Sequence, residues 1–333
     1  MSRPRRRVPA EFEPHRRTVM CWPCRVDLFG DHLADARAAH ALVARTIAEF
    51  EPVTMIASPA DADAAGAATG PSVDIEAMPI DDSWFRDTGP IMVIEDGEVL
   101  ATQWKFNAWG ESFHPYDLDA TIARRWAEAA GFTVDERPMV LEGGSLAVDG
   151  AGIALTTEQC LLHPNRNPHL SRVDIEVELH DGLGIHHVVW LPHGLFDDHD
   201  TNGHVDNVAA FSPRGTVLLQ GCDDPELPDH YRMRADRSIL EEVGLSVIEV
   251  PVLPFDERYG RRVPVPYLNF YIGNGFVIVP VCGHDADADM CDLIAAQYPN
   301  RRLVPLDVGA ILALGGGGIH CITQQIPAGT SRE

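Results

Sequence analysis

Residues 244–251, Gly244-Leu245-Ser246-Val247-Ile248-Glu249-Val250-Pro251, decide the fold, because a glycine there ends a helical pattern over residues 238–243 and a β-rich strand follows. The same order occurs earlier, where a helical pattern over residues 122–130 leads into Gly131-Phe132-Thr133-Val134-Asp135-Glu136-Arg137-Pro138. A helix that stops at glycine and continues into a strand is typical of α/β units. The recurrence predicts an α/β fold built from similar units.

Further stretches extend this pattern along the chain. An alanine-rich helix is predicted over residues 34–50, between strand-like residues 18–20 and 53–56, and a helix over residues 288–297 precedes a strand at 302–306. Short β-rich pieces also occur at residues 152–156, 216–219 and 276–279. Units of about 60 residues, each with two or three strands and a helix, indicate repeats stacked around an axis in one closed domain. A single mixed α/β sheet is the alternative.

The composition describes a globular chain with a strong negative charge. Its 333 residues are 45% hydrophobic, enough for a substantial core, and its net charge is −24. Such a charge repels the phosphates of nucleic acid, so we expect no nucleic-acid partner; it suits solubility or the attraction of a cationic substrate. No stretch reaches the roughly 18 uninterrupted apolar residues of a membrane-spanning helix, so we expect no membrane role.

The N-terminus and the cysteines both indicate a cytoplasmic protein. Residues 1–8 form a short basic tail that we expect to be flexible, and no apolar segment of the signal-peptide kind follows it. The seven cysteines are an odd and scattered set, which differs from a secreted disulfide framework and predicts reduced thiols. Cys21 and Cys24 have the C-x-x-C spacing of redox and zinc sites, but no second such pair completes a four-ligand zinc site.

A run of four glycines at residues 315–318 leads almost directly to Cys321. Consecutive glycines favour neither helix nor strand, but they allow the backbone to approach a ligand closely and to adopt positive φ. Such a loop can present the next side chains to a pocket, which makes Cys321 a candidate nucleophile. The alternative is that Cys321 is a small buried apolar residue, the commoner situation for a single cysteine.

A histidine and an aspartate, His204 and Asp206, occur at positions i and i+2 of Gly203-His204-Val205-Asp206-Asn207. In extended backbone the two side chains point to the same face, so they can build a joint site. Zinc could use both, although no further His or Cys lies at the short spacings typical of a metal site. A hydrogen-bonded pair at the end of a strand is the alternative.

Acidic residues accumulate at two predicted turns. Asp81, Asp82 and Asp87 lie in Asp81-Asp82-Ser83-Trp84-Phe85-Arg86-Asp87-Thr88-Gly89-Pro90, and Glu142 precedes two glycines. Such carboxylates and rings could converge on a planar cation, or the segments could be ordinary solvated turns. Together with the thiol and the imidazole they suit a guanidinium group, whose N–H edges paired carboxylates can hold beside a sulfur atom.

Long motifs in the same order resemble those of the agmatine deiminases, members of the guanidino-group-modifying superfamily. The resemblance covers almost the whole chain. It rests on residues 13–15, 21–23, 84–90, 104–110, 142–145, 156–162, 165–170, 200–207 and 319–325.

The resemblance implies a fold and a reaction. The family fold is an α/β propeller of five pseudo-symmetric ββαβ units (a pentein), which would make residues 1–333 one catalytic domain. The family reaction, a step of polyamine biosynthesis toward putrescine, hydrolyses agmatine to N-carbamoylputrescine and ammonia. No metal or organic cofactor is implied. The expected partner is therefore a small cationic guanidino substrate, and the resemblance is compatible with a homo-oligomer.

The same resemblance assigns roles to residues. Cys321 is the nucleophile, His204 the general acid/base, Asp87 and Asp206 the guanidinium clamps, and Glu142 an acid near the histidine and the substrate. The thiolate attacks the guanidinium carbon, and His204 protonates the departing ammonia and then activates water. Nearby carboxylates raise the pKa of Cys321 whereas the bound cation lowers it, so we expect substrate binding to help create the thiolate.

Three departures from the family pattern concern the thiol loop and substrate specificity. The family commonly has asparagine in place of Gly318, a second glycine in place of Glu111, and arginine or lysine near His193. Asp200, Glu111 and Trp84 are the candidates for binding the far ammonium of agmatine. Two alternatives stay open: a deiminase of arginine, peptidyl arginine or a specialised guanidino metabolite, and a guanidine-binding protein without turnover.

Overall fold

The computed structural model describes residues 6–329 as a mixed α/β protein. The strands are β1 Arg6–Arg7, β2 His15–Cys21, β3 Val53–Ala57, β4 Val73–Ala77, β5 Ile91–Glu95, β6 Glu98–Lys105, β7 Val134–Val140, β8 Ala147–Val148, β9 Ile153–Thr157, β10 His187–Leu191, β11 Ala209–Phe211, β12 Thr216–Gln220, β13 Ser246–Val250, β14 Phe255–Asp256, β15 Val263–Pro264, β16 Tyr271–Gly273, β17 Phe276–Pro280, β18 Arg302–Leu306 and β19 Thr323–Pro327. The helices are α1 Val26–Phe29, α2 Leu33–Ala48, α3 Ala62–Thr69, α4 Phe85–Thr88, α5 Ala108–Glu111, α6 Asp119–Ala129, α7 Glu158–Leu161, α8 Arg172–Leu183, α9 Pro228–Glu242, α10 Asp287–Ala295 and α11 Gly309–Leu314. Short 3-10 helices occur at Gly30–His32, Gly143–Ser145 and Val205–Asn207.

Five sheets share one pattern, an antiparallel pair of strands followed by a parallel strand. Their orders are β5-β6-β7, β8-β9-β10, β11-β12-β13, β16-β17-β18 and β19-β2-β3. Strands β1 and β4 extend two of these sheets, and β14 pairs with β15 in a separate ribbon. A helix connects the two parallel strands of each sheet, as α2, α6, α8, α9 and α10 do. Each unit therefore has the order ββαβ, which is the recurrence that the sequence indicates.

The two ends of the described chain meet in one sheet. Strand β19 pairs with β2 in antiparallel register, with Thr323 opposite Met20 and Gln325 opposite Thr18. Because β2 is followed by the parallel strands β3 and β4, the C-terminal strand completes a unit that begins at the N-terminus. Cys321, two residues before β19, is placed by this pairing.

Glycines end two helices where the sequence predicts it. Gly131 and Gly244 follow α6 and α9 with φ of +81° and +83°, a conformation that other residues rarely adopt. Helix α9 is longer than predicted, since it begins at Pro228, and a proline fits the first helical turn because it needs no N–H partner there. Residues 238–243 are only the C-terminal end of that helix.

Part of the basic N-terminus is structured, so the prediction of a flexible tail over residues 1–8 is wrong for Arg6–Arg7. These residues form β1 and pair with β5. The guanidinium of Arg6 donates to Glu95 at 2.9 Å and also bonds to Asp135, which ties the strand in place. Residues 1–5 of the predicted tail lie outside the described residues.

Apolar clusters fill the spaces beside the sheets. The largest cluster joins α2 and its neighbouring strands to α11 and to the segment that carries Cys321, through side chains such as Met20, Ile47, Met55 and Leu312. Burial of this kind contributes about 25 cal/mol for each Å² of apolar surface. None of the helices within residues 6–329 combines the length and apolar character that crossing a membrane requires.

A buried carboxyl in α9 should make the stability of the fold depend on pH. Oδ1 of Asp236 accepts a hydrogen bond from the backbone of His193 at 3.1 Å, and burial raises the pKa of Asp236 to about 8. The native carboxyl therefore binds its proton more tightly than the unfolded one, and its stabilising contribution is lost as the pH rises toward about 8. The Asp236→Asn variant should keep its stability over this pH range, because the amide does not ionise.

The expected result is a melting temperature for Asp236→Asn that rises relative to the parent by a few degrees between about pH 5 and about pH 9. Glu242→Gln, at an exposed site of the same helix, should show no such change. Thermal melts at both pH values measure the difference. An Asp236→Asn offset that is the same at both values would contradict the assignment.

Candidate active site

Cys321 lies at a cavity beneath the glycine run. Helix α11 ends at Leu314, Gly316 adopts a φ of +97°, and Cys321 is buried just before β19. A Cβ on Gly317 would lie 2.6 Å from the ring of Trp84 and 3.1 Å from Sγ of Cys321. Only glycine fits where the loop passes between the ring and the thiol. The predicted glycine loop does present Cys321 to a cavity.

This cavity, called the front cavity below, has a volume of about 300 Å³. Its walls include the rings of Trp84, Trp109 and Phe113 and the carboxylates of Asp87 and Asp200, while the thiol and the glycine run form another part of the lining. Flat apolar rings combined with a few carboxylates suit a ligand that is planar, cationic and attached to an apolar chain.

Asp87 is fixed by two N–H donors. Its Oδ1 accepts from the backbone N–H of Gly144 at 2.8 Å, and its Oδ2 accepts from Nε1 of Trp109 at 3.0 Å. Burial raises the pKa of Asp87, although the charge of His204 opposes the increase. The carboxylate edge is thereby held in one orientation beside the cavity.

Of Asp81, Asp82 and Asp87, the structure brings Asp82 and Asp87 to the front cavity. Asp82 borders the front cavity but pairs with Arg25 at 2.7 Å. Asp81 accepts a hydrogen bond from the backbone of Leu118 at 2.9 Å. Both residues anchor the segment before α4, and Asp81 does not line the front cavity.

His204 and Asp206 converge, but not through the predicted extended backbone. Val205–Asn207 form a 3-10 helix, and the backbone N–H of His204 donates to Oδ2 of Asp198 at 3.1 Å. The prediction of extended backbone is wrong because this loop folds around the Asp198 carboxylate. The side chains still meet, since a Cβ on Gly144 would lie 2.6 Å from Nδ1 of His204 and 2.8 Å from Oδ2 of Asp206.

The imidazole of His204 lies between two carboxylates. Its Nδ1 is 3.7 Å from Oδ2 of Asp87, and its Nε2 is 3.9 Å from Oε2 of Glu142. Neither ring nitrogen has a hydrogen-bond partner among residues 6–329. Burial lowers the pKa of His204, but Asp87 and then Cys160 raise it well above its usual value. A protonated imidazole with unpaired N–H groups suits proton donation to a leaving group.

Glu142 is held by an arginine. Nε of Arg166 donates to Oε1 of Glu142 at 2.7 Å, and both side chains are completely buried. Arg166 also donates to the backbone oxygen of Thr201 at 2.9 Å, which ties it to the loop that carries His204. Breaking a buried pair of this kind costs about 3–5 kcal/mol, because the remaining charge is left unpaired. Oε2 of Glu142 is the oxygen that faces His204.

The thiol of Cys321 is close to a carboxylate and to an amide. Oδ2 of Asp206 lies 3.4 Å from Sγ, and Nδ2 of Asn269 lies 3.2 Å from it. Burial raises the pKa of Cys321 well above its usual value, and Asp206 and Asp87 raise it further, whereas hydrogen bonds, one of them from Asn269, oppose the increase. Cys321 is therefore a neutral thiol at neutral pH in the substrate-free protein.

The side chain of Asn269 lies next to Gly318. Its Oδ1 accepts hydrogen bonds from the backbone N–H groups of His320 and Cys321, at 3.0 and 3.3 Å. A Cβ on Gly318 would overlap with this Oδ1. Glycine at this position lets Asn269 hold the loop and the thiol together.

The ligand atoms of Glu142, Cys160 and His204 lie within 4.8 Å of one another, which is close enough for one metal ion to contact all three. A divalent cation there would lie beside the guanidinium of Arg166, and it would have to displace the proton of His204. The pair His204 and Asp206, considered for zinc from the sequence, is no better, because Oδ2 of Asp206 is 2.8 Å from Nδ1 of His320. These residues fit a proton-bearing imidazole better than a metal.

Two of the three candidates for the far end of the substrate line the front cavity. Trp84 and Asp200 are in its wall, and Asp200 lies 3.7 Å from Arg261. Glu111 is exposed, has a φ of +64° and does not line the cavity. The prediction for Glu111 is therefore not supported by its position, because the turn that begins at Asn107 directs this residue elsewhere.

Some residues of the site were not among the sequence candidates. Arg166 and Trp109 lie within motifs on which the family resemblance rests, so that signal could have identified them. His320 also lies in such a motif, at residues 319–325, whereas Asn269 gave no comparable signal, because its role comes from contacts such as the one with Cys321, 52 positions away.

Comparisons with known proteins identify similar chains over almost the whole length. The family model described as Porphyromonas-type peptidyl-arginine deiminase matches residues 7–327. The agmatine deiminase of Stutzerimonas stutzeri is 40% identical over 359 aligned positions, covering 96% of this chain and 95% of the relative. The agmatine deiminase of Pseudomonas aeruginosa is 39% identical, covering 97% and 95%. The solved structure of the Enterococcus faecalis agmatine deiminase superposes with a TM-score of 0.91 at 33% identity, covering 97% of this chain and 96% of that one.

The raised pKa of Cys321 leads to a prediction about its reactivity. A neutral reagent, iodoacetamide, should alkylate Cys321 slowly at neutral pH, and the rate should rise toward alkaline pH as the thiol ionises. A planar cationic haloacetamidine should bind between the carboxylates and lower the pKa of the thiol. The apparent pKa of Cys321 from alkylation by this reagent should therefore be lower, by at least about one unit, than the apparent pKa from alkylation by iodoacetamide.

Mass spectrometry of the Cys321 peptide measures the alkylation rate against pH for both reagents. The Asp206→Asn variant is the control, and its two rate profiles should be more alike than those of the parent. A thiol that reacts fully with both reagents at about pH 6 would contradict the assignment.

Proposed function

The chain belongs to the Porphyromonas-type peptidyl-arginine deiminase family, and from this premise we propose that it is an enzyme that hydrolyses agmatine to N-carbamoylputrescine and ammonia. The observation that carries the proposal is the position of a buried thiol, Cys321, beside the fixed carboxylates of Asp87 and Asp206. This arrangement suits a planar cation whose carbon is to be attacked by sulfur. Relatives named agmatine deiminase, at 39–40% identity, support the choice of substrate.

In the proposed complex the guanidinium lies between Asp87 and Asp206. Oδ1 of Asp206 has no hydrogen-bond partner among the described residues, so this oxygen is available for a substrate N–H. Each clamp would then replace the hydration of one guanidinium edge with a charge-assisted hydrogen bond. The positive charge next to Sγ lowers the pKa of Cys321, and the thiolate forms where it is needed.

The first step exchanges ammonia for sulfur. Sγ of Cys321 forms a bond to the guanidinium carbon, and the C–N bond to one terminal nitrogen breaks. His204 gives that nitrogen the proton that it needs to leave as ammonia, and Glu142 stabilises the charged imidazole. The product of this step is a positively charged thiouronium on Cys321.

The second step consumes water. His204, now neutral, takes one proton from a water molecule, whose oxygen bonds to the thiouronium carbon. The C–S bond then breaks, sulfur leaves as the thiolate, and the second proton of the water is lost as the ureido carbonyl forms and converts the released ammonia to ammonium. The ureido product departs, and the proton of the water compensates for the one used in the first step. The balance is one guanidinium and one water converted to one ureido group and one ammonium ion, with no metal or organic cofactor required by the stoichiometry.

We propose that the five ββαβ units are the blades of one closed α/β propeller around this site, within a single catalytic domain. The repeated strand order and the pairing of β19 with β2 support this arrangement, because a closed ring needs the last strand to return to the first unit. The seven cysteines, all of them unpaired thiols, support a reducing compartment, for which we propose the cytoplasm.

At the far end of the front cavity we propose Asp200 as the partner of the substrate ammonium. Its carboxylate lines the same cavity as the thiol, and Trp84 provides an apolar face between the two. Arg261, 3.7 Å from Asp200, is more than half exposed and would exchange this partner for the incoming ammonium at little cost.

Arginine is the second candidate substrate, and Arg261 is the observation that favours it. The guanidinium of Arg261, beside Asp200, could receive the α-carboxylate of arginine while Asp200 receives the α-ammonium. The description of the matching family, which names peptidyl arginine, keeps this candidate relevant.

The test measures ammonia and ureido product from agmatine, arginine and a capped arginine peptide in parallel. We expect a preference for agmatine of at least about 100-fold in kcat/KM, and no turnover by Cys321→Ala, which lacks the nucleophile. Cys291→Ala, which removes a buried thiol of α10 outside the front cavity, is the matched control and should remain active. Faster turnover of arginine, with loss of that activity in Arg261→Ala, would contradict the choice of agmatine.

A further inference from the structure

His320 is a buried imidazole with a carboxylate at each nitrogen. Its Nδ1 is 2.8 Å from Oδ2 of Asp206, and its Nε2 is 2.7 Å from Oε1 of Glu11. Ionised carboxylates only accept hydrogen bonds, so both ring nitrogens must carry a proton for both contacts to form. The geometry therefore requires an imidazolium between two carboxylates.

The charged surroundings agree with this protonation state. Burial and Arg86 lower the pKa of His320, but Glu11 and Asp206 raise it, and the net direction is upward. Burial raises the pKa of Glu11, but the charges of His320 and Arg86 lower it to about 2. Arg86 is 3.3 Å from Glu11 and donates to the backbone oxygen of His320 at 3.3 Å. The charged groups facing the imidazole are thus Glu11, Asp206 and Arg86.

These contacts determine the orientation of the Asp206 carboxylate. Its Oδ2 is shared by His320 and the thiol of Cys321, at 2.8 and 3.4 Å, while its Oδ1 has no partner within the described part of the chain. Rotation of the carboxylate would break the short contact with the imidazolium. One oxygen is therefore fixed, and the other is offered to a ligand.

We propose that His320 and Glu11 are positioning residues for the deimination, with His320 as the fixed counter-ion of Asp206 and Glu11 as the group that holds His320 in its charged form. This inference rests on the proposed function for the identity of the reaction. Neither residue touches the substrate in the proposed complex. Their effect passes through the charge and orientation of Asp206 to the thiol of Cys321.

Glu11 lines a second cavity and does not line the front cavity. This rear cavity, of about 390 Å³, is bordered by Glu11, His320 and Asp206 and otherwise mainly by apolar side chains. It shares no lining residue with the front cavity that contains Cys321. A change at Glu11 therefore alters the charges of His320 and Asp206 without removing a group that the substrate contacts.

The test replaces Glu11 with glutamine and measures a pH profile. The neutral amide can still accept a hydrogen bond, but it no longer favours the charged form of His320, so His320 should lose its proton at a lower pH than in the parent. We expect kcat/KM for agmatine to stay within about threefold of the parent at about pH 6 and to fall at least tenfold below it at about pH 8.5. A loss of equal size at both pH values would mean a merely structural role and would overturn the inference.

The matched control is Glu13→Gln. Glu13 lies in the same N-terminal segment and holds it through Arg7, at 2.5 and 2.7 Å, and through the backbone N–H of Ala10 at 2.9 Å. Its substitution weakens the segment without changing the charge next to His320, so its pH profile should match that of the parent. A profile like that of Glu11→Gln would contradict the inference.

A second measurement separates this inference from the proposed function. The rate of alkylation of Cys321 by iodoacetamide does not require agmatine turnover, and the loss of a cation near Asp206 should raise the pKa of the thiol. We expect Glu11→Gln and His320→Gln to shift the alkylation profile to higher pH, with the Glu13→Gln profile unchanged. Parent-like profiles in both variants overturn the positioning roles, whereas a parent without agmatine turnover but with the shift refutes only the substrate.

Discussion

The burial of Asp87 and Asp206 beside the thiol of Cys321 is the constraint on which the rest of the site depends. Two carboxylates close to sulfur oppose formation of a thiolate, yet the reaction needs one. The surrounding charges are balanced when the thiol is neutral. Four acids pair with four cations in two groups around the thiol. Arg86, Glu11, His320 and Asp206 form one group of ion pairs, and Arg166, Glu142, His204 and Asp87 form the other. A bound guanidinium adds one positive charge, and loss of the thiol proton restores the balance.

The fold serves this balance by bringing the charges from separate ββαβ units. Asp87 precedes β5, Glu142 follows β7, the loop between β10 and β11 carries His204 and Asp206, and Cys321 precedes β19. Each group is fixed locally, by the backbone of Gly144, by Arg166, by Asp198 and by Asn269 respectively. No single element could hold so many buried charges, because each needs its own partner to offset the cost of desolvation.

The sequence predicts the repeated units and the residues that the structure brings together near Cys321, but it does not predict the contacts that support them. Glycine at positions 131 and 244 ends a helix for a local reason, so these boundaries could be predicted. His204 and Asp206 were placed together on the assumption of extended backbone, but the loop folds around Asp198, and that carboxylate cannot be recognised as the cause from spacing. His320 lies in the motif at residues 319–325, but spacing gives it no role because its partners lie 114 and 309 positions away. Such contacts depend on how distant segments pack in the tertiary structure, which local sequence patterns do not show.

The most direct test of this account is the number of protons released when a cationic ligand binds. Calorimetric titration with a cyclic guanidinium analogue of agmatine that is not turned over, in buffers of different ionisation enthalpy at about pH 7.5, measures this number. We expect release of about one proton per site by the parent and almost none by Cys321→Ala, since the thiol is the group that ionises. Binding by the parent without proton release would contradict the claim that the substrate charge creates the thiolate.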